Sequence, residues 1–298
     1  MARQANRCRW IGLTEALDAF VSVPGKSQSQ AHIRPLHWYT ACRLVVEGGF
    51  HPDDIVPRPP FSVRRSRGGH VLVHDPESAA GGELTVLGGL KTKDVDVVVS
   101  KPGIGPCVAV SIKGTLNAFR NLTNRMEEAV GDCTNLHISY PNLVYGFLHV
   151  IRANREGPLA PEAAHFLKAD AEGNVAANDV AVRGDGGVAE SIVRYHDVLL
   201  GLTGRDGVRN DISRYEALAL AMVDPESRAV VADWPLAGSP LRMEKFMDAV
   251  YRAYDQRYVY AAPKLAKRTA RLSWRADSPA FAEPLAQDLV ARLSGLSG

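Results

Sequence analysis

Two β-branched runs joined by a Pro/Gly turn constrain this chain more than any other feature. Residues 94–99 read Asp-Val-Asp-Val-Val-Val and residues 108–113 read Val-Ala-Val-Ser-Ile-Lys, with Ser-Lys-Pro-Gly-Ile-Gly-Pro at 100–106 between them. β-branched side chains favour extended backbone, and Pro and Gly interrupt it, so the stretch predicts a β-hairpin. Directly behind, residues 114–131 carry apolar side chains at 116, 119, 122, 126 and 129/130, a helical period. The polar residues at 117, 120, 121, 124, 127 and 128 share the opposite face, and Gly131 predicts the helix end. After Pro141, the unbroken run Leu143 to Ile151 predicts a strand buried on both faces.

Upstream, residues 35–49 show helical spacing that stops at Gly48-Gly49, and the Pro-rich segment 51–60 reads as a loop. Two short apolar bursts at 71–74 and 84–87 predict strands. Helix, strands, hairpin, helix and buried strand together predict an α/β class with a mixed sheet flanked by helices. In the second half, 168–188 reads as loops with a small hairpin, 189–201 as a helix ending at Gly201, and 240–258 as an amphipathic helix. Residues 217–224 fit strand or helix, and 279–295 predicts one further helix. The expectation is one domain over 1–298, with a core at about 35–152 and recognition or dimerisation elements over 153–298.

Composition narrows the class. With 46% hydrophobic and 23% charged residues in 298, the chain is globular, and disordered, collagen-like and coiled-coil classes are excluded. The formal net charge is only +2, yet residues 1–70 hold ten Lys/Arg against five acids, and 264–275 hold five bases and no acid. Local basic patches on a near-neutral chain suit a surface that meets phosphates in one place. Cys8, Cys42, Cys107 and Cys133 form no Cys-x-x-Cys pair, which argues against a disulfide framework or a zinc site. The start MARQANRCRW leads into no apolar run, and no apolar stretch is long enough to span a bilayer. A cytoplasmic, prokaryotic protein with no membrane partner is expected.

Phosphodiester cleavage needs carboxylates for a divalent ion and a cation near the attacking water. Asp96 in the first strand, Lys113 at the end of the second and Glu127 in the following helix supply those types in order. Period-two alternation puts Asp94 on the same face as Asp96, so either serves as the first ligand. Glu47 in the early helix is a further candidate and Glu83 a weaker one.

An acid on one strand followed by a Lys-terminated triplet on the next resembles the PD-(D/E)xK nuclease superfamily. The triplet here is Ser111-Ile112-Lys113, with serine where the second acid usually stands. Type II restriction endonucleases that cut sites with a CCGG core share that departure, and a glutamate from the next helix takes over metal binding. The resemblance covers about residues 90–130, with a weaker match at 35–49. It implies a restriction-endonuclease-like fold and catalytic Asp96, Lys113, Glu127 and Ser111. It also implies Mg²⁺ held by Asp96 and Glu127 with the Ile112 main chain, and Asp94 or Glu47 in support. Double-stranded DNA would be met by Asn117, Arg120, Asn124 and Arg125. The branch's guanine-reading Arg-x-Asp-Arg element falls on Asn117, Phe119 and Arg120, of which only the last arginine is retained. A homodimer or dimer of dimers, working beside a separate methyltransferase, is the implied assembly. Repair or defence nucleases of the same fold, and a non-catalytic DNA-binding protein, are the rival readings. His137 and His149 beside the buried strand are expected as core histidines. Tyr258, Tyr260 and Trp274 are expected to pack against the core rather than stack on bases.

Overall fold

The computed structural model describes residues 7–22 and 30–293. Arg3, Lys26 and the last residues of the 279–295 segment lie outside the described residues. The centre is a six-stranded sheet in the order β1-β6-β7-β8-β9-β10. Its strands are β1 (Ile55–Val56), β6 (Val97–Lys101), β7 (Gly105–Thr115), β8 (Val144–Arg152), β9 (Ala217–Asp224) and β10 (Ala229–Val230). β1, β6 and β7 pair antiparallel, β7, β8 and β9 run parallel, and β10 closes the far edge antiparallel to β9. Two small hairpins stand off this sheet: β2 (Phe61–Ser66) with β3 (Gly69–His74), and β4 (Leu84–Leu87) with β5 (Thr92–Val95). The expected α/β class with a mixed sheet flanked by helices is observed, and it is consistent with the restriction-endonuclease-like fold that the resemblance implies. No helix among the described residues is long and apolar enough to cross a membrane.

Alternation along the strands divides the core in two. Val97, Val99, Val108, Val110 and Ile112 face α1 (Leu13–Ser22), α2 (Arg34–Val46) and α5 (Met243–Asp255). Val98, Ala109, Tyr145 and Phe147 face α3 (Leu122–Ser139) and α4 (Glu190–Leu202). The segment 217–224 is a strand buried at every position, so the second half of the chain is built into the same sheet.

Three expected elements differ in detail. The run 94–99 is not one strand: β5 pairs with β4, β6 pairs with β7, and Asp96 is the bend where the chain passes between sheets. The helix expected from 114 begins only at Leu122 and continues through Gly131 to Ser139. Tertiary contacts override the helical period before it. Asp179 accepts from the Ala118 amide, Asn117 donates to the Phe166 carbonyl, and Ala118 takes a left-handed φ of 54°. Thereafter Leu122, Ala129, Cys133 and Leu136 bury the predicted stripe. The segment 279–295 forms two short turns, Pro279–Ala282 and Pro284–Asp288, because Pro284 cannot donate within a continuous helix.

That C-terminal segment ties down α2. The helix leaves its last carbonyls without internal partners, and the Trp274 indole donates to the Val45 and Val46 oxygens at 2.9 and 3.2 Å. The Arg292 amide adds a bond to Val46 at 3.0 Å. Gly49, at φ +66°, ends the helix, and a Cβ there would stand 2.1 Å from the Leu272 carbonyl oxygen. Trp274 is fully buried, so Trp274→Ala is expected to cost about 3–5 kcal/mol of unfolding free energy by urea titration. A loss under 1 kcal/mol would show that the strap does not support α2.

Candidate metal centre

The helix α2 buries Pro35 through Cys42 on every side, together with Leu44, Val45 and Val46. A helix apolar all round belongs in a core, and His37 is the residue that does not fit that environment. It is 4% exposed, and its Nε2 has no hydrogen-bond partner. Leaving such an atom unsatisfied costs roughly 1–3 kcal/mol, so it requires an explanation in the site around it. Burial lowers the His37 pKa, nearby Lys113, Arg34 and His32 lower it further, and Asp96 opposes them in part. The ring is therefore held neutral, the form that offers a lone pair to a metal.

Asp96 faces the Nε2 atom of that ring. Val97 pairs with Val110, which brings the preceding residue level with the Ser111-Ile112 segment. There the Ile112 amide donates to Asp96 Oδ2 at 2.7 Å. The other oxygen, Oδ1, lies 3.8 Å from His37 Nε2, too far for a hydrogen bond. Asp96 is 4% exposed, so its carboxylate is largely withdrawn from water.

Glu83 completes a triad from the solvent side. It precedes β4 and follows Gly82, whose φ of +117° an L side chain rarely adopts. One donor atom each from His37, Glu83 and Asp96 falls within 4.8 Å of the others, and among the described residues this is the one such group of three or more. Metal–ligand bonds of roughly 2.0–2.2 Å separate donors around one ion by about 3–4 Å, so the spacing suits a cation after small side-chain movements. His37 and Glu83 open on a cleft of about 580 Å³, which Gln30, Arg34, Trp38, Pro57 and Gly82 also line, and Asp96 lies behind them. One imidazole and two carboxylates fit a divalent ion with positions left for water or substrate, and not a closed Cys-rich zinc site.

The other expected site residues fall as follows. Lys113 is part-buried near the end of β7, within electrostatic reach of His37. Ser111 is buried and bonds the Tyr145 hydroxyl at 2.9 Å, which engages it in the core. Ile112 enters the site through its amide. Asp94 is exposed and accepts from Thr85 across the β4–β5 hairpin, so the alternation expected to bring it beside Asp96 is broken by the bend. Glu127 is exposed on α3 and lies outside the triad. Glu47 lies just past the far end of α2, about 15 Å along the axis from His37 at ~1.5 Å per residue. There it pairs with Arg43 at 2.8 Å and meets the Tyr251 hydroxyl at 3.4 Å. Asn117 is bonded to Phe166, and Arg120 to Asn178 at 3.0 and 3.1 Å, both within the chain. Asn124 and Arg125 are exposed on α3, Arg125 paired with Glu128 at 3.2 Å.

His37 escapes the sequence reading, although a histidine inside an all-apolar helix is a signal that could have marked it. His149 and His137 are fully buried. His149 bonds Tyr195 and Thr115 at 2.6 and 2.8 Å, and burial pushes its pKa down to about 3. His137 meets the Ile212 and Leu143 carbonyls. Tyr258 and Trp274 are likewise core residues, whereas Tyr260 is 72% exposed.

Compared with family models, curated proteins and solved structures, the chain matches none.

Titration of the metal-free protein with Mn²⁺ by calorimetry separates the two carboxylate assignments. Glu83→Gln is expected to weaken binding by at least about tenfold and Glu127→Gln to leave it unchanged; the reverse pattern would restore Glu127 as the ligand. His37→Leu removes the unsatisfied ring nitrogen from the core. Its metal-free form is expected to unfold at a urea midpoint no lower than that of the parent, while Mn²⁺ binding is lost.

Proposed function

We propose that the chain is a divalent-cation-dependent nuclease that hydrolyses phosphodiester bonds in double-stranded DNA to 5′-phosphate and 3′-hydroxyl ends. The observation that carries this reading is the buried, unpartnered Nε2 of His37 facing Asp96, with Glu83 beside them and Lys113 near the end of the adjoining strand. His37, Glu83 and Asp96 would hold the cation. When bound, it supplies charge neutralisation on the scissile phosphate and a more acidic water. The chain does the rest. The Ile112 amide fixes Asp96, burial keeps His37 neutral, and the Lys113 ammonium stands ready to stabilise negative charge developing on the phosphate oxygens. Arg34 on the cleft wall and the exposed Arg125 offer positive charge for the flanking phosphates.

The donor set modifies the expected cofactor. Mg²⁺ prefers an all-oxygen shell, whereas an imidazole donor favours later first-row ions. Mn²⁺ is therefore expected to support more activity than Mg²⁺ at equal concentration.

The finer reading is a type II restriction endonuclease acting as a homodimer or dimer of dimers beside a methyltransferase. It rests on the likeness of residues 90–130 to the CCGG-core branch. Asn117 and Arg120 are bonded to Phe166 and Asn178, whereas Asn124 and Arg125 stand exposed on α3, Arg125 with the exposed Glu128 as its partner, so these two are the better placed of the four expected DNA contacts.

Incubating the protein with phage DNA and Mn²⁺ or Mg²⁺, with and without EDTA, tests both levels. Discrete fragments support site-specific cleavage, and a smear supports a repair or defence nuclease. Intact DNA under all conditions contradicts the nuclease reading. Lys113→Ala is expected to reduce cutting by about 10²–10³-fold while gel-shift binding of DNA persists. Unchanged cutting would remove Lys113 from the mechanism.

A further inference from the structure

A second concentration of charge, beside the start of β8 and β9, is not used by the proposed nuclease chemistry. Glu216 immediately precedes β9 and its side chain is fully buried. Its Oε1 takes Arg205 Nη1 at 2.8 Å and Arg257 Nη2 at 2.6 Å, and its Oε2 accepts from the Tyr145 amide at 2.7 Å. His137 Nε2 lies 3.5 Å from the same carboxylate. Two buried guanidiniums thus share one carboxylate, leaving an excess positive charge withdrawn from water, which is costly without an anion.

This buried cluster underlies an open cavity. Arg205, Glu216 and Arg257 line an open cavity of about 940 Å³ together with Gly204, Asp206, Gly207, Arg252 and Gln256. Arg205 is 3% exposed, and its Nε is buried with no hydrogen-bond partner. Its two terminal nitrogens are already committed to Glu216, Pro141 and Val208. Arg252 and Gln256 are exposed on the wall, one turn apart, and Asp206 is the exposed acid at the rim. Even counting Asp206, three guanidiniums face two carboxylates.

We propose that this cavity binds a small anion bearing a phosphate group, with the exposed Arg252 and Gln256 as its donors and the buried charge excess of Arg205 and Arg257 beneath them. A planar guanidinium beside an amide matches the several acceptor oxygens of a phosphate. Glu216 is held by Tyr145 near the start of β8 and Asp96 by Ile112 on β7, so the two sites rest on different strands and share no residue. The anion site does not depend on the nuclease reading.

Calorimetry in EDTA, at constant ionic strength, tests it with inorganic phosphate and adenosine 5′-monophosphate as probes and chloride as reference. Saturable binding of either probe is expected, and the tighter of the two tells free phosphate from a phosphate ester. Arg252→Ala, an exposed position whose loss does not threaten the fold, is expected to weaken binding by roughly tenfold or more. Arg64→Ala, exposed on β2 and outside the cavity, is expected to leave it unchanged. Binding no stronger than that of chloride, or equal affinity in Arg252→Ala, would overturn the proposal.

Discussion

The hydrogen bond from the Ile112 amide to Asp96 is the contact on which the candidate centre depends. It crosses from β7 to the bend between β5 and β6, and it anchors a carboxylate that has almost no access to water. A charged acceptor on a main-chain donor is among the stronger hydrogen bonds a protein makes. With Oδ2 held this way, Oδ1 is left 3.8 Å from His37 Nε2, too far for a hydrogen bond. A cation between the two atoms would satisfy both.

The neighbouring architecture maintains that arrangement. α2 is locked by Trp274 and Arg292 at its C-terminal end, and its buried faces fix where His37 points. The β6–β7 pairing that begins at Val97 and Val110 holds Asp96 level with the Ser111-Ile112 segment. Glu83, by contrast, sits on an exposed approach to a small hairpin, the least constrained of the three donors. Ligands in α/β sheets commonly bind beyond the carboxyl ends of parallel strands, and this centre lies beside that end of β7.

Much of this was legible in the residues. The β6–β7 hairpin, the buried β8, the α2 stop at Gly48-Gly49 and the place of Lys113 follow from β-branching, turn residues and periodicity, whereas Asp96 falls at the bend before β6 and not within the strand. The failures have physical causes. Strict alternation linked Asp94 to Asp96 because a sequence pattern cannot show a strand changing sheets. The period at 116–121 suggested helix because the hydrogen bonds that break it come from Phe166, Asp179 and Asn178, about 50–60 residues away. Glu127 stands in phase on a helix whose start is displaced, and its face turns to solvent. His37 and Glu83 lie 46 residues apart in the chain, and only the tertiary fold relates them.

Anomalous diffraction at the manganese edge from Mn²⁺-soaked crystals examines the centre directly. The account predicts one peak within bonding distance of His37 Nε2, Asp96 Oδ1 and a Glu83 oxygen. A peak bound by Glu127 without His37, or no peak at saturating Mn²⁺, would contradict it.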